Sequence, residues 1–230
     1  RMTRVRAFHN CLTLLVQHVF RIPDGVGVYR LRSSVEALLQ AIDKDPKLLP
    51  ASLKMGYDTY TVPTHCTNCG FYGLALAREH LKRGRHDWID LATGFFLHDI
   101  GKTKVSKEIL IKPGALDQTE WWEMRRHPSY GEGLLENGQV LTPVLRTIIL
   151  LHHERMDGRG YPFGMRAAEI PLYARLMSIV DAYDALTTRR PFRESSEPFD
   201  ALKVMKHEMA SQFDPDIFRT FVLLLQRDHS

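Results

Sequence analysis

Three apolar segments of this sequence contain ionisable side chains that are costly to bury alone. They read FFLHDIG (95–101), IILLHHE (148–154) and LMSIVDAYDAL (176–186). An unpartnered carboxylate or imidazole inside a core costs several kcal/mol. The fold must therefore bring these segments together so that their polar groups share partners. A divalent first-row cation is a partner that suits imidazole and carboxylate ligands together.

The rest of the chain carries mostly helical signals, so the predicted fold class is all-α. Apolar spacing, prolines, glycines and a capping box at Asp117 and Glu120 place the helix ends. The predicted helices span residues 31–43, 65–82, 87–100, 117–126, 143–153, 171–187, 198–209 and 215–226. The first 30 residues, which include IPDGVGVYRL, indicate a strand or an irregular arm. We expect residues 1–50 to be the end of an upstream regulatory domain or a connector, and residues 51–230 to form a helical bundle domain.

Composition excludes several classes of protein. The net charge of +4 comes without a basic run long enough for a groove of duplex nucleic acid. The apolar runs, such as FVLLL near the end, are far shorter than a membrane span. Three cysteines, Cys11, Cys66 and Cys69, do not make a secreted disulfide framework, so we expect a cytoplasmic protein. The chain begins with Arg1, and we expect it to be a fragment whose upstream part could hold sensors or anchors.

The candidate metal ligands are too many for one ion. A single site needs three or four protein ligands. The seven candidates are His65, His98, Asp99, His127, His152, His153 and Asp181. That number suits two ions that share Asp99, which could give one oxygen to each. Two-metal sites, with ions about 3.5–4 Å apart, serve in-line attack on phosphorus.

The order of the motifs is similar to that of a known family. HDIGK (98–102), HP (127–128), HHERMDGRGYP (152–162) and IVDAYDALTTRRPF (179–192) resemble the HD-GYP phosphodiesterases, a branch of the HD superfamily of metal-dependent phosphohydrolases. Members of that branch act on cyclic dinucleotides, chiefly cyclic di-GMP. The resemblance covers residues from about 50 to 215 and implies an HD-superfamily helical bundle.

The resemblance also implies a role for each matching residue. His65, His98, Asp99 and Asp181 would hold one ion, and Asp99 would bridge to a second. His127, His152 and His153 would hold that second ion. Lys102 would contact the scissile phosphate as a point charge, with Asp99 as the other catalytic residue. Asp184 would contact the lysine or the substrate, and Arg190 and Arg193 would grip phosphate. An ordinary surface role remains open for Arg193.

The glycine-rich turn after His153 is expected to place an aromatic ring over the site. Gly158 and Gly160 permit a tight turn, and Pro162 would stiffen it. Tyr161 could then stack on a guanine and donate a hydrogen bond. A structural loop whose tyrosine packs on its own domain remains the alternative.

Two further features refine the metal prediction. Some family members carry a glutamate four residues before the first histidine, where this chain has Thr61, so we expect two ions rather than three. The Cys66–Cys69 pair lacks a second CxxC, so we expect Cys69 to be a small core residue below His65 rather than a zinc ligand. We also expect Trp121, Trp122, Phe95 and Phe96 to lie in the core.

The expected function is hydrolysis of cyclic di-GMP by a metal-bridging hydroxide, which yields pGpG and then, if cut again, GMP. The expected cofactors are two divalent ions, Fe or Mn. A diguanylate cyclase (GGDEF-type) or another signalling domain is the expected partner, with no duplex nucleic acid and no membrane in this fragment. Two alternatives stay open: a cyclic-dinucleotide sensor or docking module with little turnover, and a hydrolase of a mixed GMP-AMP cyclic dinucleotide.

Overall fold

The computed structural model describes residues 2–57, 60–81, 85–189 and 195–228, and its regular elements are all helical. The described residues form the α-helices α1 (Met2–Arg21), α2 (Gly25–Lys44), α3 (Leu48–Leu53), α4 (Val62–His80), α5 (Trp88–Leu97), α6 (Lys107–Leu110), α7 (Gln118–Met124), α8 (His127–Asn137), α9 (Pro143–Leu151), α10 (Leu172–Thr187), α11 (Pro198–His207) and α12 (Pro215–Asp228). A 3₁₀ helix, Ile100–Lys104, follows α5. The prediction of an all-α fold is confirmed. Within the described part of the chain, no helix is both long and apolar enough to span a membrane.

Side-chain caps fix where several helices begin. Asp87 accepts a hydrogen bond from Asp90 N at the start of α5, and Thr142 accepts one from Leu145 N at the start of α9. The capping box predicted at Asp117 is present at the start of α7. Each cap satisfies an N–H group that the helix itself leaves unpaired. The N-termini of the helices that lead into the polar segments are thereby fixed.

The centre of the bundle consists of α4, α5, α9 and α10, which pack on one another. The phenylalanines Phe95 and Phe96 of α5 are fully buried there, as predicted. The 3₁₀ helix after α5 packs against the start of α8, where a Cβ on Gly101 would lie 1.8 Å from the carbonyl oxygen of His127. Only glycine permits this approach. It brings the segment that carries Asp99 next to the segment that carries His127.

The N-terminal region is helical, and the prediction of a strand or an irregular arm there is wrong. Val5, Leu12, Val16 and Val19 of α1 are buried at helical spacing. Asp24, in the stretch that suggested an arm, caps α2 and accepts a hydrogen bond from Gly27 N. α1 packs on α2 and α4, and α2 packs on α5, so both helices share a core with the bundle. That residues 1–50 end an upstream domain stays a prediction.

Besides α1, three helices lie where none was predicted, namely α3, α6 and α8. The helix predicted over 117–126 ends at Met124, and His127 begins α8. The other predicted helices are present, with ends that differ by a few residues. The C-cap predicted at Gly84 lies outside the described residues.

Candidate metal centre and active-site cavity

The seven predicted ligand side chains converge on one point of the bundle. They come from the first half of α4, the end of α5, the start of α8, the end of α9 and the middle of α10. Five are almost fully buried, namely His65, His98, Asp99, His127 and His152. The other two are partly exposed, with 23% of the His153 side chain and 16% of the Asp181 side chain accessible. The cluster therefore opens to solvent on the side of His153 and Asp181.

The first half of the cluster is centred on Nε2 of His65. That atom lies 3.0 Å from Asp181 Oδ1 and 3.6 Å from Asp99 Oδ2. Nε2 of His98 lies 3.6 Å from the same Asp99 oxygen and 3.9 Å from the same Asp181 oxygen. The four residues thus direct two nitrogens and two oxygens towards a common volume. This donor set suits a divalent first-row metal ion.

The second half of the cluster uses the other oxygen of Asp99. Nε2 of His127 lies 3.1 Å from Asp99 Oδ1, and Nε2 of His152 lies 3.6 Å from it. A ligand atom of His153 completes this group, within 4.8 Å of the others. His153 also lies 3.7 Å from Asp181 Oδ2. Asp99 therefore faces one group with each of its oxygens.

Hydrogen bonds at Nδ1 fix how four of the imidazole rings are presented. The partners of Nδ1 are main-chain carbonyl oxygens for His98 (Phe95, 3.0 Å), His127 (Met124, 2.7 Å) and His152 (Ile149, 2.9 Å), and Asp184 Oδ2 (2.6 Å) for His65. Because carbonyl and carboxylate oxygens only accept, each Nδ1 carries the proton. In a neutral ring, Nε2 is then left with its lone pair pointing into the cluster, as in protein metal sites.

Two atoms of the cluster have no hydrogen-bond partner among the described residues. Nε2 of His98 and Oδ1 of Asp99 are buried without a hydrogen bond. In addition, Nε2 of His127 faces Nε2 of His152 at 3.3 Å. Buried acceptors that face one another without a donor are costly unless a cation lies between them. The residues present therefore fit divalent metal ions.

Burial keeps three of the imidazoles neutral, and neighbouring positive groups keep the carboxylates ionised. His65 differs, because burial lowers its pKa but the neighbouring Cys69 and carboxylates raise it well above the usual value. Burial lowers the pKa of His98 to about 3 and lowers the pKa of His127 and His153 as well. For Asp99, burial alone would raise the pKa, but Lys102 and the imidazoles hold it well below its usual range. Neutral imidazole and ionised carboxylate are the forms that bind metals.

Lys102 reaches the cluster from the 3₁₀ helix and donates a hydrogen bond to Asp99 Oδ2. Burial would lower the pKa of its ammonium group, but Asp99 raises it above the ordinary value. The lysine is therefore positively charged beside the bridging carboxylate. A cation in this position can contact an anionic substrate.

Asp184 lies behind His65, on the side away from the other ligand atoms. It accepts hydrogen bonds from Asn68 Nδ2 (2.7 Å) and Thr188 Oγ1 (3.0 Å), in addition to that of His65. Asn68 in turn accepts from Tyr57 N and donates to Tyr57 O. These contacts orient His65 from outside the cluster. The contact of Asp184 to lysine or substrate, which the family motif implies, stays a prediction.

The loop 154–166 forms one wall of the opening and is held by a buried carboxylate. Glu154 is 2% exposed and accepts hydrogen bonds from Phe163 N (2.7 Å) and Met165 N (2.8 Å). A Cβ on Gly160 would lie 2.5 Å from both Arg155 N and His153 O, so the loop turns back against its own start. This arrangement brings the Tyr161 ring onto His153, with ring centroids 4.6 Å apart.

A cavity of about 440 Å³ lies over the open side of the cluster. Its lining combines cluster residues with aromatic and cationic side chains, and includes His153, Asp181, Tyr161, Trp121, Arg125 and Arg159. Trp121 is 49% exposed and Trp122 is 68% exposed, so the prediction that both lie in the core is wrong. An amphipathic helix places aromatic residues in the core only on its inner face, and α7 contributes no buried residue.

The remaining predicted residues have varied outcomes. Arg190 and Arg193 lie outside the described residues. Thr61 caps α4 in a capping box with Thr64. Cys69 is buried below His65, as predicted, with its sulfur 3.7 Å from His65 Nδ1.

The sequence interpretation missed Asn68, Glu154, Arg125 and Arg159. The position of Glu154, next to the two histidines, was a signal that could have identified it.

Known proteins resemble this chain in sequence and in fold. A family model described as "HD domain" matches residues 74–217. The chain is 42% identical over 126 residues to "Cyclic di-GMP phosphodiesterase PA4108" of Pseudomonas aeruginosa, which covers 55% of this chain and 30% of that protein. It is 37% identical over 156 residues to "3'3'-cGAMP-specific phosphodiesterase 3" of Vibrio cholerae, and this match covers 67% of this chain and 33% of that protein. The chain thus spans about a third of the length of these relatives.

Among solved structures, the chain resembles "Bd1817, a HDG"Y"P protein from Bdellovibrio bacteriovorus". The TM-score is 0.83 at 19% identity, and the match covers 98% of this chain and 72% of that one. At this identity the likeness concerns the fold. It extends over nearly the whole chain, including α1 and α2.

Proposed function

This chain is a member of the HD domain family, and on that premise we propose that it is a phosphodiesterase that hydrolyses cyclic di-GMP. The observation that carries the proposal is the position of Asp99, whose two oxygens face two separate groups of buried metal-ligand atoms. Clusters of that kind, beside a cavity lined by arginines, suit the transfer of a phosphoryl group to water. The names of several relatives add the substrate class.

Two divalent ions, Fe or Mn, are the proposed cofactors. The ligands proposed for the first ion are His65, His98, Asp99 and Asp181, and those for the second are Asp99, His127, His152 and His153. Bound ions would supply Lewis acidity towards phosphate and would lower the pKa of water. The number and identity of the ions belong to the proposal, as does the absence of a third ion at Thr61.

The side chains around the opening have proposed roles in binding and charge neutralisation. Lys102 would contact the scissile phosphate, because its ammonium group lies at the cluster and carries a charge. Tyr161 borders the cavity, and its hydroxyl could donate a hydrogen bond. Arg190 and Arg193 remain proposed phosphate ligands, and Asp184 remains a proposed contact of lysine or substrate.

The proposed reaction adds water across one 3′–5′ phosphodiester bond. The bond between phosphorus and the 3′ oxygen breaks, the 3′ oxygen takes a proton, and the new oxygen stays on the 5′ phosphate. The product is linear pGpG, and a second cut of the same kind would give GMP. Residues 1–50 would connect this reaction to an upstream signalling domain or to a diguanylate cyclase, in the cytoplasm.

A second candidate is hydrolysis of a mixed GMP-AMP cyclic dinucleotide. It is favoured by the relative from Vibrio cholerae that is named for 3'3'-cGAMP. A sensor with little turnover is the third candidate, although the cluster contains every ligand that the motifs imply.

The test is hydrolysis by protein purified without oxygen and loaded with Fe(II) or Mn(II). We expect turnover of cyclic di-GMP, measured by chromatography of pGpG and GMP, and a slower rate with the mixed dinucleotide. Binding of cyclic di-GMP without turnover by either metal form would favour the sensor, and a faster rate with the mixed dinucleotide would change the substrate. Elemental analysis of the same sample gives the number of ions per chain.

A further inference from the structure

The cavity wall contains a large aromatic side chain that packing does not explain. Trp121 lies on α7, lines the cavity and is 49% exposed. Its ring meets the Tyr161 ring edge-on, with centroids 6.5 Å apart. An exposed aromatic side chain at the edge of a pocket is a common feature of ligand sites.

Tyr161, the residue that the motif suggests for stacking, already has ring partners. It stacks on His153 at 4.6 Å with an interplanar angle of 27°, and the guanidinium carbon of Arg125 lies 4.9 Å from its ring centroid. A base that stacked on Tyr161 would have to compete with these groups. Trp121 has only its edge-on contact with Tyr161 among the ring contacts of the described residues.

Arg125 has donors to offer at the same wall. Its guanidinium lies over Tyr161, and it pairs with no carboxylate among the described residues. It follows Trp121 by four residues, so both side chains lie on the same face of the α7 segment. A free guanidinium can donate two hydrogen bonds to the O6 and N7 atoms of guanine, whereas adenine offers a donor in place of O6.

We propose that Trp121 and Arg125 form a guanine-binding subsite, in which Trp121 stacks on the base and Arg125 hydrogen-bonds its O6 and N7 edge. The subsite lies in the cavity above His153 and Asp181, so a cyclic dinucleotide held there has its phosphates at the cluster. This inference rests on the proposed function and names how its substrate is selected. Stacking provides affinity for any purine, and the arginine provides the preference for guanine.

The neighbouring tryptophan supplies a matched control. Trp122 is more exposed than Trp121, and it lines a second cavity of about 250 Å³, which shares Arg125 and Tyr161 with the first cavity but contains none of the cluster residues. Adjacent residues of a helix point about 100° apart. The two tryptophans therefore share a helix and a residue type but face different cavities.

The experiment compares Trp121→Ala, Trp121→Phe, Trp122→Ala and Arg125→Lys in the metal-loaded protein, with cyclic di-GMP and cyclic di-AMP as probes. We expect Trp121→Ala to raise KM for both dinucleotides by roughly 5- to 100-fold, with a smaller change in kcat, and Trp121→Phe to recover most of the loss. Arg125→Lys should lower the preference for the guanine dinucleotide about tenfold, since lysine lacks the planar fork. Trp122→Ala should leave both KM values unchanged.

Tryptophan fluorescence after rapid mixing gives a readout that does not need turnover. Cyclic di-GMP should quench the tryptophan fluorescence of the Trp122→Phe protein, which keeps Trp121. It should quench the fluorescence of the Trp121→Phe protein much less. Three outcomes would overturn the subsite while the proposed hydrolysis stands. They are an equal rise of KM in Trp121→Ala and Trp122→Ala, an unchanged KM in Trp121→Ala, and fluorescence quenching in the protein that keeps Trp122 but lacks Trp121. Quenching by Trp121 in a protein that turns over neither dinucleotide would support the subsite and overturn the proposed hydrolysis.

Discussion

The buried cluster and the cavity wall lie side by side, yet they left very different traces in the sequence. The cluster residues His98, Asp99, His152 and Asp181 interrupt apolar segments, where an isolated polar group is costly. The wall residues Trp121 and Arg125 lie on α7 and at its C-terminal end, and α7 contributes no fully buried residue. An exposed tryptophan or arginine has little energetic cost anywhere on a surface, so its presence there does not indicate a site.

This difference shows which half of an active site can be predicted from one sequence. Groups that bind the phosphate must be desolvated and ordered, so they interrupt the local apolar pattern. They can therefore be recognised in the sequence. Groups that select the base remain accessible to ligand, so they agree with an ordinary surface pattern. Substrate choice is therefore harder to predict than reaction type, and the two halves need separate experiments.

The largest effect is expected at the residue on which both halves of the cluster depend. Asp99→Ala removes one oxygen from each group of ligand atoms, so both ions should be lost together. We expect activity to fall by more than the roughly 10- to 100-fold that follows loss of an outer-shell partner. Metal per folded chain, from elemental analysis with circular dichroism as the check on folding, measures the effect.

Asp90→Asn is the matched control for that variant. Asp90 is also buried on α5, but its partner is Arg32, away from the cluster. It should alter stability without changing metal content. If the Asp99→Ala protein kept two ions per chain, the two groups of ligands would not share this carboxylate, and the description of the cluster as one unit would be wrong.

The metal centre was predictable from the sequence, but parts of the scaffold around it were not. His65 and His127 carry the weakest signal among the seven candidates, since each stands alone in its segment. α8 was missed because Gly131 and Gly133 imitate a loop. The structure explains Gly131, where a Cβ would lie 2.7 Å from Ile149 Cγ2. A glycine required by close packing and a glycine required by a turn look the same in one sequence.

The N-terminal region was misread for a related reason. Pro23, Asp24 and Gly25 form a turn signal, but Asp24 caps the next helix, so the turn only separates α1 from α2. The helical spacing of Val5, Leu12, Val16 and Val19 is present in the sequence, and it indicates a helix more strongly than the turn signal indicates an arm. Burial of these residues against α4 depends on long-range packing that spacing alone does not specify.

The next largest effect is expected at Glu154, which shares a property with each of the two regions. It is buried like the cluster residues, and it holds the loop 154–166 that forms the cavity wall. In Glu154→Gln the amide nitrogen must face one of the two N–H groups of Phe163 and Met165, which then loses its acceptor. We expect a loss of about 1–3 kcal/mol in the stability of the loop and a raised KM. Hydrogen exchange of the amides in residues 158–166 measures the loop directly.

Glu169→Gln provides the control for Glu154. Glu169 accepts from Arg166 N in the same loop, but this bond is exposed to water, so we expect a change within about 0.5 kcal/mol. Equal protection of the loop amides in the two variants would show that burial of Glu154 contributes nothing special. The wall would then be held by other contacts, such as the pairing of Arg155 with Asp157.

The smallest expected effect tests the premise that a buried imidazole without a partner is costly. His9 of α1 is 2% exposed, stacks on Phe71 at 4.8 Å and has no partner for Nε2 among the described residues. Burial lowers its pKa from 6.5 to about 4. Between these values the unfolded chain binds a proton that the folded chain does not, so stability falls as the pH falls through this window, by at most about 1.4 kcal/mol per pH unit.

His9→Phe should remove this part of the pH dependence. Phenylalanine keeps the stacking on Phe71 and carries no titrating group, so the variant should gain about 1–2 kcal/mol over the unchanged protein between pH 7 and pH 5. Urea unfolding at both pH values measures the difference, and His207→Phe, at an exposed position on α11, should show a smaller change. If both variants responded alike, burial would not be the cause. Burial of the histidines would then no longer indicate the metal centre, and only the pairing of their ligand atoms would indicate it.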